Sequence, residues 1–320
     1  MSVKRRTMKG ALPAVALLSA CGGGHPTDVR AAVSASTPPV TSAAPESGDA
    51  AWDIFRDARD ANGRFRVPGP ASRADVEAWV REFDGDARRI APPPFEVAPL
   101  GGSRRVVVLR ERGERAGGGV YLLRLGMAAP VVPIVVEVPH SFADRDTLPI
   151  GLTLFRRAEA EALLVNSVHR YRGAACDPAL PPCASDMAHA GESYFQAVHS
   201  ALSARMPKAV VVAVHGFEEG EGDPDAVVSS AGTSLDVAPL VAALRAAFPA
   251  RNVAAYPSDF ARLGGTTGVQ ARALRESGGR MLHLELSGRF RAELASNAAL
   301  RSAFATVVRN ALRTQAGEAR

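Results

Sequence analysis

Five short apolar runs, at 132–138, 162–168, 210–214, 252–255 and 280–286, alternate with amphipathic stretches at 151–160, 192–204, 237–247, 268–277 and 289–313. The runs are rich in Val, Leu and Ala, as expected of strands buried on both faces, and the longer stretches place apolar residues at the three- and four-residue spacing of a one-sided helix. This alternation constrains the fold more than any other feature, because parallel neighbours need a long crossover and a helix supplies it. The expected architecture is a three-layer α/β domain with a mixed, mostly parallel central sheet and helices on both faces.

Upstream, 105–110 and 120–125 are β-rich and are joined by the charged, Gly-rich segment 111–119, which predicts a hairpin. Residues 51–90 are expected to be helical in two pieces, with Ser72 capping 73–83 and an apolar stripe through Val76, Trp79, Val80 and Phe83. Pro92, Pro93 and Pro94 then break the chain. With 320 residues, 47% of them hydrophobic, one large core is affordable. Residues 51–320 are read as a single domain, 51–130 providing helices and hairpin and 131–320 the catalytic core.

The first twenty residues have a different character. A basic stretch through Lys9, a short apolar run at 11–18 and the sequence Leu18-Ser19-Ala20-Cys21 resemble a bacterial lipoprotein signal peptide. On that reading 1–20 is removed, Cys21 is lipidated, and the Ala-, Ser-, Thr- and Pro-rich segment 21–50 is a disordered tether. Gly22 after the cysteine points to the outer membrane, facing the periplasm. Processing would remove Lys4, Arg5, Arg6 and Lys9, taking the net charge from +5 to about +1 and with it the case for a nucleic-acid partner. The membrane is then met through the lipid only. Cys176 and Cys183 remain, bracketing a Pro-rich loop, and an oxidising compartment predicts a disulfide between them.

Six of the seven histidines fall between His140 and His283, and His140, His169 and His215 each follow a predicted strand. In an open α/β sheet the ligand site lies beyond the carboxyl ends of the strands, so these side chains converge if their strands are neighbours. In 280–286 the two-residue period sets His283 and Glu285 on one face and Leu282, Leu284 and Leu286 on the other. A glutamate in a core strand is costly unless it is paired or bound to a cation.

Four segments together resemble the N-formylglutamate amidohydrolase family and its zinc carboxypeptidase-like relatives: Pro139-His140-Ser141-Phe142-Ala143-Asp144, Val212-Ala213-Val214-His215-Gly216-Phe217, Asp186-Met187-Ala188-His189 and Leu282-His283-Leu284-Glu285-Leu286. The resemblance covers about residues 130–295 and implies that His140, Asp144 and His215 hold one zinc ion and that Glu285 is the general base. Asp146 is the alternative carboxylate ligand. Arg170, beside a strand end, is the expected oxyanion or carboxylate partner, with His169 as a catalytic helper and Arg272, Arg289 and His189 as substrate-binding candidates. Departures from the family pattern bear on the substrate: Phe142 replaces a glycine, Ala188-His189 replaces an Asn-Arg pair, and the arginine after the glutamate is shifted to Arg289. Neither a Gly-x-Ser-x-Gly elbow nor a P-loop is present, and 218–225 reads as an acidic loop rimming the site. The function these observations predict is hydrolysis of an amide bond near a free carboxylate, in a small N-acyl amino acid or peptide. The alternative is a catalytically silent envelope-binding lipoprotein of the same fold.

Overall fold

Three antiparallel strands, β1 (Phe95–Pro99), β2 (Val106–Glu111) and β3 (Val120–Arg124), form one flank of a nine-stranded sheet. The sheet continues through β5 (Ala162–Val165), β4 (Ile134–Val138), β6 (Val210–Phe217) and β9 (Arg280–Ser287), and ends with β7 (Ala226–Ser229) and β8 (Val253–Ala255). The computed structural model describes residues 49–315 except 87, 104, 125–131, 174–175 and 177–181. Cys21 and the expected signal peptide lie outside the described residues. The central strands β5, β4, β6 and β9 are mutually parallel, whereas β3 meets β5 and β7 meets β9 in antiparallel fashion. The sheet is thus mixed, with three parallel pairs at its centre and another, β7 with β8, at its edge.

Helices cover both faces. Phe55 of α1 (Ala50–Ala58), Ile150 of α3 (Thr147–Arg157), Leu240 of α5 (Ala238–Ala247), Phe290 of α7 (Gly288–Ser296) and Phe304 of α8 (Ala298–Thr314) share one apolar layer with Leu282, Leu284 and Leu286. Val76 of α2 (Pro70–Glu82), Phe195 of α4 (Tyr194–Arg205) and Leu274 of α6 (Val269–Ser277) share the other with Val211, Ala213 and Met281. The period-two reading of β9 therefore assigns its leucines correctly to one layer. Gly151 lets α3 press closely on β4, since a Cβ there would lie 2.3 Å from Val138 Cγ2.

Several boundaries differ from expectation for identifiable reasons. The stretch 162–168 leaves the ladder after Val165, because Asn166 and Ser167 turn their side chains to other loops: Asn166 Oδ1 accepts from Ser141 N at 2.9 Å and Ser167 Oγ from Gly119 N at 2.9 Å. His169 consequently stands clear of the strand end. β6 runs on to Phe217, so His215 sits in the ladder itself, opposite Glu285. Strands β1 and β7 went unread, β7 being only four residues long. The helix expected over 289–313 is two helices, because Asn297 accepts Leu300 N at 3.0 Å and starts α8 anew. Ser72 does not cap α2, which begins at Pro70 behind Gly69; its hydroxyl instead bonds Tyr194 Oη at 2.6 Å. The 2–3 hairpin is present, and Cys176 and Cys183 are joined by a disulfide.

Candidate metal centre

The chain turns sharply after β4, and this turn brings the first two site residues together. Asp144 N donates to His140 O at 2.8 Å, and Ser141 N and Oγ both donate to Asn166 Oδ1. Arg59, at the end of α1, braces the turn from outside: its Nη2 donates to Ser141 Oγ at 2.6 Å while its guanidinium lies 4.2 Å from the Phe142 ring centre. His215 arrives from the neighbouring parallel strand. The donor atoms of His140, Asp144 and His215 all fall within 4.8 Å of one another, and all three residues are buried. Both Nδ1 atoms face one oxygen, with Asp144 Oδ2 3.5 Å from His140 and 3.6 Å from His215. The same oxygen accepts Gly216 N at 3.0 Å. Asp146 is exposed and stands at the start of α3 with φ of 68°, apart from this cluster.

A second layer fixes His140. Its Nε2 lies 2.7 Å from Asp186 Oδ1, and Arg170 Nη2 donates to the other Asp186 oxygen. The carboxylate accepts Nε2–H and leaves the Nδ1 lone pair directed at the cluster, where Arg170 Nη1 also approaches at 3.2 Å. Burial resists charge throughout, but it is outweighed at both aspartates. The imidazoles of His140 and His215 hold Asp144 below the usual carboxylate range, and His140, His189 and Arg170 do the same for Asp186. At His140 burial is likewise outweighed, by Asp144 and Asp186, and its pKa is raised; at His215 burial and the fields of His283 and His140 prevail and lower it.

Glu285 projects from β9 beside His215. One oxygen is 3.2 Å from His283 Nε2; the other is buried without a hydrogen-bond partner among the described residues. The loop before α6 closes over His283 at Gly265, which has φ of 65° and whose Cβ would lie 2.5 Å from His283 Nδ1. A pocket of about 190 Å³ opens onto His140, His215, Glu285, Arg170 and His189. Arg291, buried in α7, ties the surrounding ends together through Arg145 O at 2.8 Å, Phe217 O at 2.9 Å and Leu286 O at 2.5 Å.

The donor set fits zinc: two imidazole nitrogens and one carboxylate oxygen converge in a buried site, as in catalytic centres that keep a fourth position for water. The unpartnered Glu285 oxygen fits a group that exchanges a proton there.

The remaining expected site residues divide. His189, a third exposed, lines the pocket with Nδ1 3.2 Å from Asp186 Oδ1. His169 does not line it; its Nδ1 accepts Tyr171 N at 3.2 Å, and burial together with Arg172 and Arg170 lowers its pKa. Arg272 is exposed on α6, and Arg289 Nη2 bonds Asp225 at 2.8 Å; neither lines the pocket. Sequence reasoning quoted Asp186 without giving it a role and passed over Arg59, Glu137, Gln270 and Arg291. For Asp186 the adjoining His189 was an available signal; Arg59 acts across 82 residues and offered none.

No family model matches this chain, and no curated protein matches it. Similar solved structures include zinc-free YNDL (15% identity, TM-score 0.40, covering 58% of this chain and 87% of that one). Others are an N-formylglutamate amidohydrolase from Ralstonia eutropha JMP134 (14%, 0.39, 63% and 99%) and a metallo-carboxypeptidase from Burkholderia cenocepacia (14%, 0.41, 78% and 71%).

Proposed function

We propose that this chain is a zinc-dependent hydrolase that cleaves an amide bond near a free carboxylate in a small N-acyl amino acid or peptide. The observation that carries this reading is the buried convergence of His140, Asp144 and His215 beside a glutamate with an unpartnered oxygen. His140, Asp144 and His215 are the zinc-holding residues, and zinc bound there would polarise the scissile carbonyl and lower the pKa of water toward neutrality. Glu285 takes a proton at its unpartnered oxygen and returns it to the departing amine, as its place beside His215 allows. Asp186 holds His140 in the tautomer whose Nδ1 carries the lone pair. Arg170 lines the same pocket and contributes positive charge for a substrate carboxylate or a developing oxyanion.

The proposal includes the setting read from residues 1–50: a lipid on Cys21 holds the domain at the bacterial envelope, facing the periplasm. Among the described residues no helix is long and apolar enough to cross a membrane.

Elemental mass spectrometry on the detergent-solubilised full chain tests the metal. About one zinc per chain is expected, lost in the His140→Ala, His215→Ala double variant, with a lower melting temperature because bound metal stabilises the native state. Glu285→Gln should keep the zinc and lose hydrolysis of N-acyl amino acids by at least about a hundredfold. A zinc-replete chain without metal would overturn the reading in favour of a silent binder.

A further inference from the structure

The pocket has a floor that the proposed chemistry leaves unused. Glu137, in the middle of β4, lines it and is only 1% exposed. One of its oxygens accepts His199 Nδ1–H at 2.7 Å, from α4. His199 Nε2 is buried and has no hydrogen-bond partner among the described residues. This contact orients the Glu137 carboxylate toward α4 at one oxygen and leaves the other to the pocket. A buried carboxylate is costly until a cation meets it.

Gln270 adds to the same floor. Its Nε2 donates to Met187 O at 2.7 Å, which fixes the amide and leaves its carbonyl oxygen as the group it offers the pocket. Ala213, Ala271 and Met281 also line the pocket, and the register sets His283 beside Ala213 in the same row as Glu137. Arg170, which also lines the pocket, is engaged with Asp186 and His140. Two hydrogen-bond acceptors, one of them a carboxylate, in a lining that also holds Ala213, Ala271 and Met281 suit an alkylammonium group.

We infer that the pocket selects substrates bearing an ammonium group on an aliphatic side chain, with Glu137 as its counter-ion and Gln270 as a second acceptor. Glu137 is then a specificity-determining residue. This inference rests on the proposed function for the location of the substrate and goes beyond it by naming the side-chain class.

Calorimetry on the zinc-loaded, detergent-solubilised full chain carrying Glu285→Gln, which prevents turnover, tests it with Nα-acetyl-lysine and the nearly isosteric Nα-acetyl-norleucine. The lysine derivative is expected to bind at least about tenfold more tightly, as for a charge pair that loses water on binding. Adding Glu137→Gln, with folding checked by circular dichroism, should abolish that preference chiefly by weakening the lysine ligand. Should Glu137→Gln fail to fold, Gln270→Leu reads the same floor and should narrow the preference. Equal affinity for the two ligands in the parent chain overturns this inference and leaves the proposed function standing. Binding of neither ligand, while zinc is retained, overturns the substrate reading of the pocket and the inference with it.

Discussion

Burial acts on carboxylates at two ends of this molecule, with opposite outcomes. At the carboxyl ends of β4 and β6 it is the largest single influence on Asp144 and Asp186, yet both are held below the usual carboxylate range by the imidazoles and the guanidinium around them. In the β2–β3 hairpin burial is again the largest influence on Glu111. There it is opposed only by the backbone N–H groups of Gly118, Ala116 and Gly117 and the field of Arg115, and it pushes the pKa up. The difference lies in the partners. Cationic or protonatable side chains were assembled where the parallel strands end, while around Glu111 backbone donors carry most of what opposes burial. Among the described residues none before Glu137 lines the pocket, which sets the candidate site in one half of the sheet and the flank outside it.

The contrast would break first at α1. Phe55 is fully buried and packs in the layer that also holds Val106, Val108 and Leu122 of the flank. Phe55→Ala should cost about 4 kcal/mol, by lost burial and a residual cavity. If the flank is scaffold only, zinc per folded chain is unchanged in that variant. Urea melts combined with metal analysis of the folded fraction check both parts; folded protein that has lost zinc would show that the flank shapes the site.

Arg291 offers the complementary test in the other half. Its guanidinium is the common donor to carbonyls on the Arg145 loop, β6 and β9, whereas its partner Glu218 is 87% exposed and contributes little. Arg291→Met should cost about 3 kcal/mol, because the charged donor is removed and buried carbonyls lose their partner. Unlike Phe55→Ala, it should also weaken zinc binding, since the ends it ties carry Asp144, His215 and Glu285. Gly265→Ala should come next, at about 2 kcal/mol for a left-handed backbone and a contact with the His283 ring. Its effect on turnover should exceed its effect on the melting temperature, because the displaced ring is the one bonded to Glu285.

The same division governs what could be read in the sequence. Asp144, His215 and Glu285 are legible as a group because local order places each of them: a tight turn after β4, a strand end and a period-two face. The alternation that predicted the central sheet is local in the same sense. What holds these residues is not local. Asp186 reaches His140 across 46 residues and Arg291 reaches Arg145 across 146, and neither periodicity nor a short motif records such pairings. The flank shows the opposite weakness. β1 reads Phe-Glu-Val-Ala-Pro, too short and too mixed for periodicity to distinguish it from a loop, and becomes a strand only because β2 pairs with it. Ser72 carried a capping signal, but Pro70 at the first helical position and the Tyr194 hydroxyl overrode it.

The smallest expected effect also sharpens the comparison most directly. Glu111 has its pKa raised in the folded chain, so over the interval from its unfolded value up to its folded value the native state binds more protons than the unfolded state. Stability from this group therefore falls as pH rises through that interval and is level above it. Asp144 and Asp186, with lowered values, act with the opposite sign: their stabilisation is complete above the unfolded carboxylate range and is lost as pH falls toward their folded values. The whole protein shows the sum, so the Glu111 contribution must be read as a difference. Glu111→Gln keeps an acceptor for Ala116 N, now 3.0 Å from Glu111 Oε1, and removes the titration. Urea melts from pH 4 upward should show the variant gaining on the parent as pH rises from about 4.5, the ordinary value for a glutamate, before the gap levels off. A gap that narrows with rising pH would mean that the backbone donors stabilise the carboxylate more than burial opposes it, and the hairpin would then belong with the site rather than against it.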